Sequence, residues 1–371
     1  MGRLSYPHMG SSVIAVNAMA RTMGFEIVAP RAPTQNTLTL GTRHSPEFAC
    51  IPFKIVLGTY IESLERGANV ILSGGGKGPC RAGYYGELHR RILLDLGYEH
   101  EMIFFWPPLR TPMDFLRKLR RFKAIAGASW GDVGRAIRMT WEKLKAIDDL
   151  EILAHRLRPR ELTPGDTSRA LSAAMTDLDA AETVAGTRTA LAEGTQMLDS
   201  VATGEGDPEG LLKIGIIGEI YVQLEPFANF GIEERLGELG AWVQRSIFLT
   251  NFARTDILAR GDRSVARTAS EYLPENVGGH GQSSVGEIIE YAHKGFDGVV
   301  QLAPFSCIPE IVAKSIVPSV SREYGIPVMT LFIDEQTGEG GVQTRLEAFV
   351  DLLRARRRRG KDLEHAALSG S

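Results

Sequence analysis

Short β-branched and apolar runs separated by amphipathic helical stretches recur in two blocks of this chain, and such alternation builds parallel sheets with helices on their faces. In the first block, Phe25 to Val28, Val70 to Leu72 and Met102 to Phe105 are predicted strands, with helical periodicity over 10–22, 52–66 and 83–95. In the second, Lys213 to Ile217, Trp242 to Phe248, Gly298 to Leu302 and Pro327 to Ile333 are strands, with helices over 228–239, 284–294, 309–324 and 342–357. Residues 111–210 carry helical periodicity without a strand signal, as at Leu171, Met175, Leu178 and Val184. The predicted fold class is therefore α/β: two Rossmann-like parallel-sheet lobes, 1–110 and 211–360, an all-helical insert, 111–210, and a flexible tail, 361–371. Open parallel sheets bind ligands at the carboxyl ends of their strands, so the cleft between the lobes is the expected site.

The insert is divided in charge. Residues 110–160 hold 13 basic and 6 acidic side chains, whereas 161–210 hold 2 basic and 10 acidic ones, so the halves are expected to attract as a folded-back hairpin. The whole chain is nearly neutral: 42 Lys and Arg against 45 Asp and Glu give −3, too little positive field to draw it to nucleic acid or an anionic membrane. The basic run Arg354 to Arg359 ends a predicted helix, where cations suit the dipole. The first residues lack the apolar core of a secretory signal, and no window approaches the ~18 apolar residues of a membrane span. A cytoplasmic location is the expectation.

Three cysteines, Cys50, Cys80 and Cys307, form an odd set unsuited to a disulfide framework. Cys50-Ile51-Pro52 recurs as Cys307-Ile308-Pro309, each followed by an apolar helical pattern and a strand whose first valine, Val70 or Val328, lies 20 or 21 residues on, which suggests a pseudo-duplicated architecture. Proline belongs in a first helical turn, so both cysteines are predicted at helix N-termini, where unpaired N–H groups favour a thiolate and lower the thiol pKa. Cys80 closes the glycine-rich turn Ser73-Gly74-Gly75-Gly76-Lys77-Gly78-Pro79-Cys80, whose amides are free to face one anion. The turn lacks the GxxxxGK[ST] pattern of a Walker loop. Thiolate-only sites suit Fe–S clusters, Zn or Cu(I), and a [4Fe–4S] cube held by three cysteines leaves one iron for another ligand. A structural zinc normally takes four protein ligands, and no CxxC pair exists here. Three inert buried thiols are the competing reading.

At these residues the chain resembles a known family. Tyr6-Pro7-His8-Met9-Gly10, Ser45 to Lys54 around Cys50, Gly78 to Glu87 around Cys80, Gly218-Glu219-Ile220-Tyr221, Gly279-His280-Gly281, Pro304 to Glu310 around Cys307, and Asp334 to Glu339 are similar to the 2-hydroxyglutaryl-CoA dehydratase D-component family, and more closely to its stand-alone CoA protein activase branch. The resemblance spans residues 4–355 and is weakest across the insert. It implies an oxygen-sensitive, cytoplasmic iron–sulfur protein with a [4Fe–4S] cluster held by Cys50, Cys80 and Cys307, or a larger bridged cluster at a dimer interface. It also implies a homodimer or a heterodimer with a related subunit. An ATP-hydrolysing iron–sulfur activator protein would supply low-potential electrons for reductive radical chemistry on a 2-hydroxyacyl-CoA or another small reducible substrate. The chain is then a dehydratase-like lyase or a reductase component; the alternatives are a double-cubane-type reductase of small molecules and a non-catalytic electron-transfer or scaffold protein.

Several other residues are candidates. Glu219 and Glu225 follow a predicted strand and are placed to act as acid or base, with helix capping as the simpler role. His280 lies in a turn before a helix, available for proton transfer or iron ligation. Glu335 and Glu339 end a strand at the ligand edge. Gly78 and Arg81 flank Cys80 as candidate cofactor-binding residues, Arg81 offsetting cluster charge, with Lys77 a lesser choice.

Overall fold

The computed structural model describes residues 2–74, 80–105, 112–204, 210–257 and 263–369. It has two four-stranded sheets, each parallel throughout. The first runs in the order β2 (Glu26–Ile27), β1 (Arg3–Ser5), β3 (Val70–Gly74), β4 (Glu101–Phe105). The second repeats that order with β6 (Ala241–Arg245), β5 (Leu212–Gly218), β7 (Gly298–Pro304) and β8 (Val328–Ile333). The α/β class with two parallel-sheet lobes is thus the observed fold. β5 and β7 are buried almost from end to end, as strands covered on both faces must be.

Each lobe closes its own core, yet the lobes also share one. Leu38, Ile51 and Ile55 of the first lobe pack with Ile216, Val222, Val300 and Leu331 of the second. The first sheet's other face packs Leu4, Val70 and Ile103 against Phe122, Ala126 and Val133. The first helices after residue 111 therefore belong to that lobe's core. Further along, helices Trp130–Leu157, Asp166–Ala180 and Val184–Asp199 form a bundle around Ile147, Leu150, Leu178 and Leu198. The expected attraction between the insert's charged halves is not realised as direct pairing. Among the described residues no salt bridge joins a base of 110–160 to an acid of 161–210; apolar packing holds the bundle, and Gly194 lies against Ala174 and Leu150. Helix Glu339–Ser369 runs from the second lobe into the segment expected as a tail.

The repeated sheet order revises the internal echo. Helix Ile51–Glu65, which begins after Cys50, leads into the third strand of its lobe, whereas helix Ile308–Glu323, which begins after Cys307, leads from the third strand into the fourth. The topological counterpart of Cys307 is Cys80, since each follows the third strand. The counterpart of Cys50 is His280, the N-cap of helix Gly281–His293. The shared Cys-Ile-Pro tripeptide marks similar helix starts at non-equivalent places.

Candidate functional site

Proline shapes two of the three cysteine positions. Cys50 is the N-cap of helix Ile51–Glu65 and Cys307 the N-cap of helix Ile308–Glu323, each with proline in the first turn and with an extended ψ that turns the chain into the helix. Cys80 lies one residue before the N-cap of helix Ala82–Asp95, at the carboxyl end of β3. Residues 75–79, including Gly78 and Lys77, lie outside the described residues. Cys50 and Cys307 are buried, and Cys80 is half-buried.

One guanidinium ties the three cysteine loops together. Arg81, beside Cys80, donates through Nη1 to the carbonyl of Phe48, 3.0 Å away, and through Nη2 to the carbonyl of Ser306. Ser306 Oγ donates to the same Phe48 oxygen at 3.0 Å. Phe48 precedes Cys50 by two residues and Ser306 precedes Cys307 by one. Ser306 has φ +66°, a left-handed conformation that costs a non-glycine residue ~1 kcal/mol or more, and its two hydrogen bonds hold it there. Gly279 completes the junction: a Cβ on it would stand 3.8 Å from Cys80 Sγ and 3.2 Å from Pro309. Its neighbour His280 is half-buried at the same junction.

Burial governs the thiols. It pushes Cys50 up to about 11, raises Cys80, and drives Cys307 well above its ordinary value. The hydroxyl of Tyr85, 3.1 Å from Cys50 Sγ, eases the first of these. First-turn N–H groups of Phe53, Ala82 and Glu310 ease the three respectively, but the expectation that helix starts lower these pKa values does not hold, because desolvation outweighs them. The carboxylate of Glu219 raises all three, Cys80 raises Cys50, and Cys50 raises Cys307, so the sulfurs share one electrostatic environment.

Glu219 follows β5 as N-cap of helix Ile220–Leu224, its Oε2 accepting from Val222 N at 3.0 Å. Burial raises it to about 7. Glu310, fully buried in the first turn after Cys307, is likewise raised to about 7 by burial, eased by hydrogen bonds from Gln301, 2.9 Å, and Ser284, 3.1 Å. Glu225 caps a short helix through Phe227 N, 3.1 Å, and is 2 % exposed. Glu335 is 2.7 Å from the buried Nζ of Lys54, in the second turn of the Cys50 helix. Glu339 pairs with Arg235.

The structure therefore gathers Cys50, Cys80, Cys307, Arg81 and Glu219, while Glu225 and Glu335 are committed to His8 and Lys54. Arg81 is a clamp between carbonyls rather than a free counter-charge. Sequence reasoning missed Tyr85, Glu310, His8 and Lys54 as partners; Glu310, three residues after an N-cap and four after a serine, carried the acidic first-turn signal.

Compared with known proteins, the chain matches no family model and no curated protein. Among the described residues no three Cys, His, Asp or Glu side chains are gathered to hold a single metal ion. Ligands of a four-iron cube occupy separate irons and so stand further apart than ligands of one ion. The donor chemistry fits such a group: three thiols, no competing disulfide, and helix-start amides beside each sulfur. Ligation requires thiolates, and with Arg81 bound to carbonyls the irons themselves would supply the charge that displaces the protons. Among the described residues no helix is long and apolar enough to cross a membrane.

Proposed function

We propose that this chain holds a [4Fe–4S] cluster through Cys50, Cys80 and Cys307 and receives low-potential electrons from an ATP-hydrolysing activator for reductive chemistry of the 2-hydroxyacyl-CoA dehydratase type. The observation that carries the reading is the single guanidinium of Arg81 bracing the loops of three cysteines that are far apart in sequence. When bound, such a cluster supplies one-electron chemistry at potentials reaching about −700 mV. The chain's own groups do the rest. Arg81 fixes the spacing of the loops, Tyr85 hydrogen-bonds the Cys50 sulfur, and Glu219 holds or releases a proton near neutral pH. His280 occupies the place in the second lobe's topology that Cys50 has in the first, next to Gly279 at the Cys80 loop.

An apolar rim suits a protein partner. Phe48, Tyr84, Phe305 and Ile308 are each about half exposed or more, and each lies within four residues of a site cysteine. We assign this rim to the activator or a related subunit, in a cytoplasmic setting that keeps the thiols reduced.

The test is anaerobic reconstitution followed by iron and sulfide analysis and by EPR of the reduced protein. About four irons and four sulfides per chain are expected, with Cys80→Ala losing them while keeping its helical circular dichroism. A colourless, iron-free chain after reconstitution overturns the reading. Iron without turnover of any 2-hydroxyacyl-CoA in the presence of activator and ATP leaves an electron-transfer role in its place.

A further inference from the structure

A cavity of about 770 Å³, with no lining residue from the cysteine loops, opens between helices Ser12–Met23, Trp130–Leu157 and Val184–Asp199. Four arginines line it: Arg21, Arg135, Arg138 and Arg188. We propose that this cavity is a binding site for a small organic diphosphate, independent of the cysteine site.

Three of the four arginines are held in place without being consumed. Arg21 is tied to Asp179 at 3.4 Å, Arg188 to Glu142 at 3.3 Å, and Arg135 to Asp132, three residues earlier on its own helix. None of those carboxylates lines the cavity; Glu182 is the one acid that does. Arg138 has no hydrogen-bonding or ionic partner among the described residues. A guanidinium has five N–H donors in a planar fork, so each retains donors after one ion pair. Arg138 thus brings an uncompensated charge to this opening, and the three paired arginines bring their remaining N–H donors.

Helix Val184–Asp199 adds donors of a second kind. Thr183 caps it by accepting from Gly186 N at 2.9 Å, which leaves the N–H groups of Val184 and Ala185, both cavity-lining, without an acceptor among the described residues. Anions are favoured at such a terminus. The four guanidiniums come from three different helices around the opening, which favours a ligand with two separate anionic groups over a single phosphate. The remaining lining, Ala18, Met139 and Val184, offers apolar surface for an organic moiety, and the volume suits a small-molecule ligand.

The full chain would be titrated calorimetrically with inorganic pyrophosphate, and with orthophosphate for comparison. Saturable pyrophosphate binding, tighter than orthophosphate by about tenfold or more and weakened by added salt, is expected. Arg138→Ala and Arg188→Ala should each weaken it by about tenfold, and Arg138→Gln by a similar factor, because it keeps the stem and loses the charge. Arg138 has no partner to lose, so the fold should be unchanged by circular dichroism. Arg117→Ala, on another helix, should bind as the parent does. Absence of saturable pyrophosphate binding, or equal loss in the Arg117 and Arg138 variants, overturns the proposal.

Discussion

Glu225 Oε2 stands 2.6 Å from His8 Nδ1, joining the segment after β1 of one lobe to the segment after β5 of the other. The same oxygen accepts from Gly10 N at 3.0 Å, and Oε1 accepts from Phe227 N. Gly10 itself has φ +52°, and a Cβ there would meet Leu224 O at 2.0 Å. The two segments thus cross in contact, and the carboxylate satisfies three donors that the crossing would otherwise bury.

Glu225→Gln replaces a charged acceptor by an amide that must turn an NH2 group toward one of those donors. A loss of about 2–4 kcal/mol is expected, read as a lower urea midpoint with an unchanged m-value. An unchanged midpoint would show that the pair does not couple the lobes.

The thiols give a pH-dependent prediction. The Cys50 thiol is pushed up to about 11, so in the metal-free protein its alkylation rate should rise about tenfold per pH unit between 7 and 10, following the thiolate fraction. Replacing Glu219 by Gln removes a negative charge that raises all three thiols and should accelerate alkylation. Because Glu219 titrates at about 7, the difference between the proteins should vanish below that pH, where its carboxyl is neutral, and grow above it. Mass spectrometry of the Cys50 peptide measures both rates.

Much of the fold was legible because its strands are β-branched runs: Val70 to Leu72, Lys213 to Ile217 and Gly298 to Leu302 all lie within observed strands. What escaped was short or polar. β1 has three residues, too few for a pattern, and helix Gln35–His44 is largely polar, with only its Thr34–Thr37 capping box as a signal. The cysteines were found because proline and glycine fix local chain direction. The pairings His8–Glu225 and Lys54–Glu335 span 217 and 281 residues, and nothing local encodes them. The Cys-Ile-Pro echo misled for a related reason: a tripeptide reports a helix start, not which strand precedes it.

Glu310 makes a stability prediction of definite sign. Its folded-state pKa is raised from the ordinary 4.5 to about 7, so between those values the folded chain holds a proton that the unfolded chain has lost. Its contribution to stability therefore falls as pH rises from about 4.5 to 7. Glu310→Gln is neutral in both states and lacks this decline. The stability of the variant relative to the parent should increase across that window, and parallel pH profiles of the two urea midpoints would contradict the assignment.

Arg81→Lys tests the clamp. An ammonium reaches one carbonyl where the guanidinium fork reaches two, so the Phe48 and Ser306 segments should separate. Amide exchange at Ala49 and Cys307 is expected to rise about tenfold in metal-free Arg81→Lys, and more in Arg81→Ala. Exchange that is unchanged in both variants would remove Arg81 from its positioning role.

The Cys50 helix owes its position to two glycines at a helix crossing. A Cβ on Gly41 would stand 1.7 Å from Lys54 O, and one on Gly58 1.9 Å from Thr37 O, both backbone atoms with no rotamer to yield. Alanine at either place must push helices Gln35–His44 and Ile51–Glu65 apart, at a cost of about 2–3 kcal/mol or more. Gly134 is the control: it lies within helix Trp130–Leu157 with nothing within 4 Å of a Cβ, so Gly134→Ala should stabilise by about 0.5–1 kcal/mol through helix propensity alone. Urea midpoints shifting in opposite directions for Gly58→Ala and Gly134→Ala are the expected result. The displacement in Gly58→Ala should also reach the helix's first turns, where Cys50 and Lys54 lie, and raise the alkylation rate of Cys50. A normal midpoint for Gly58→Ala would mean that the close crossing does not hold the helix that presents Cys50.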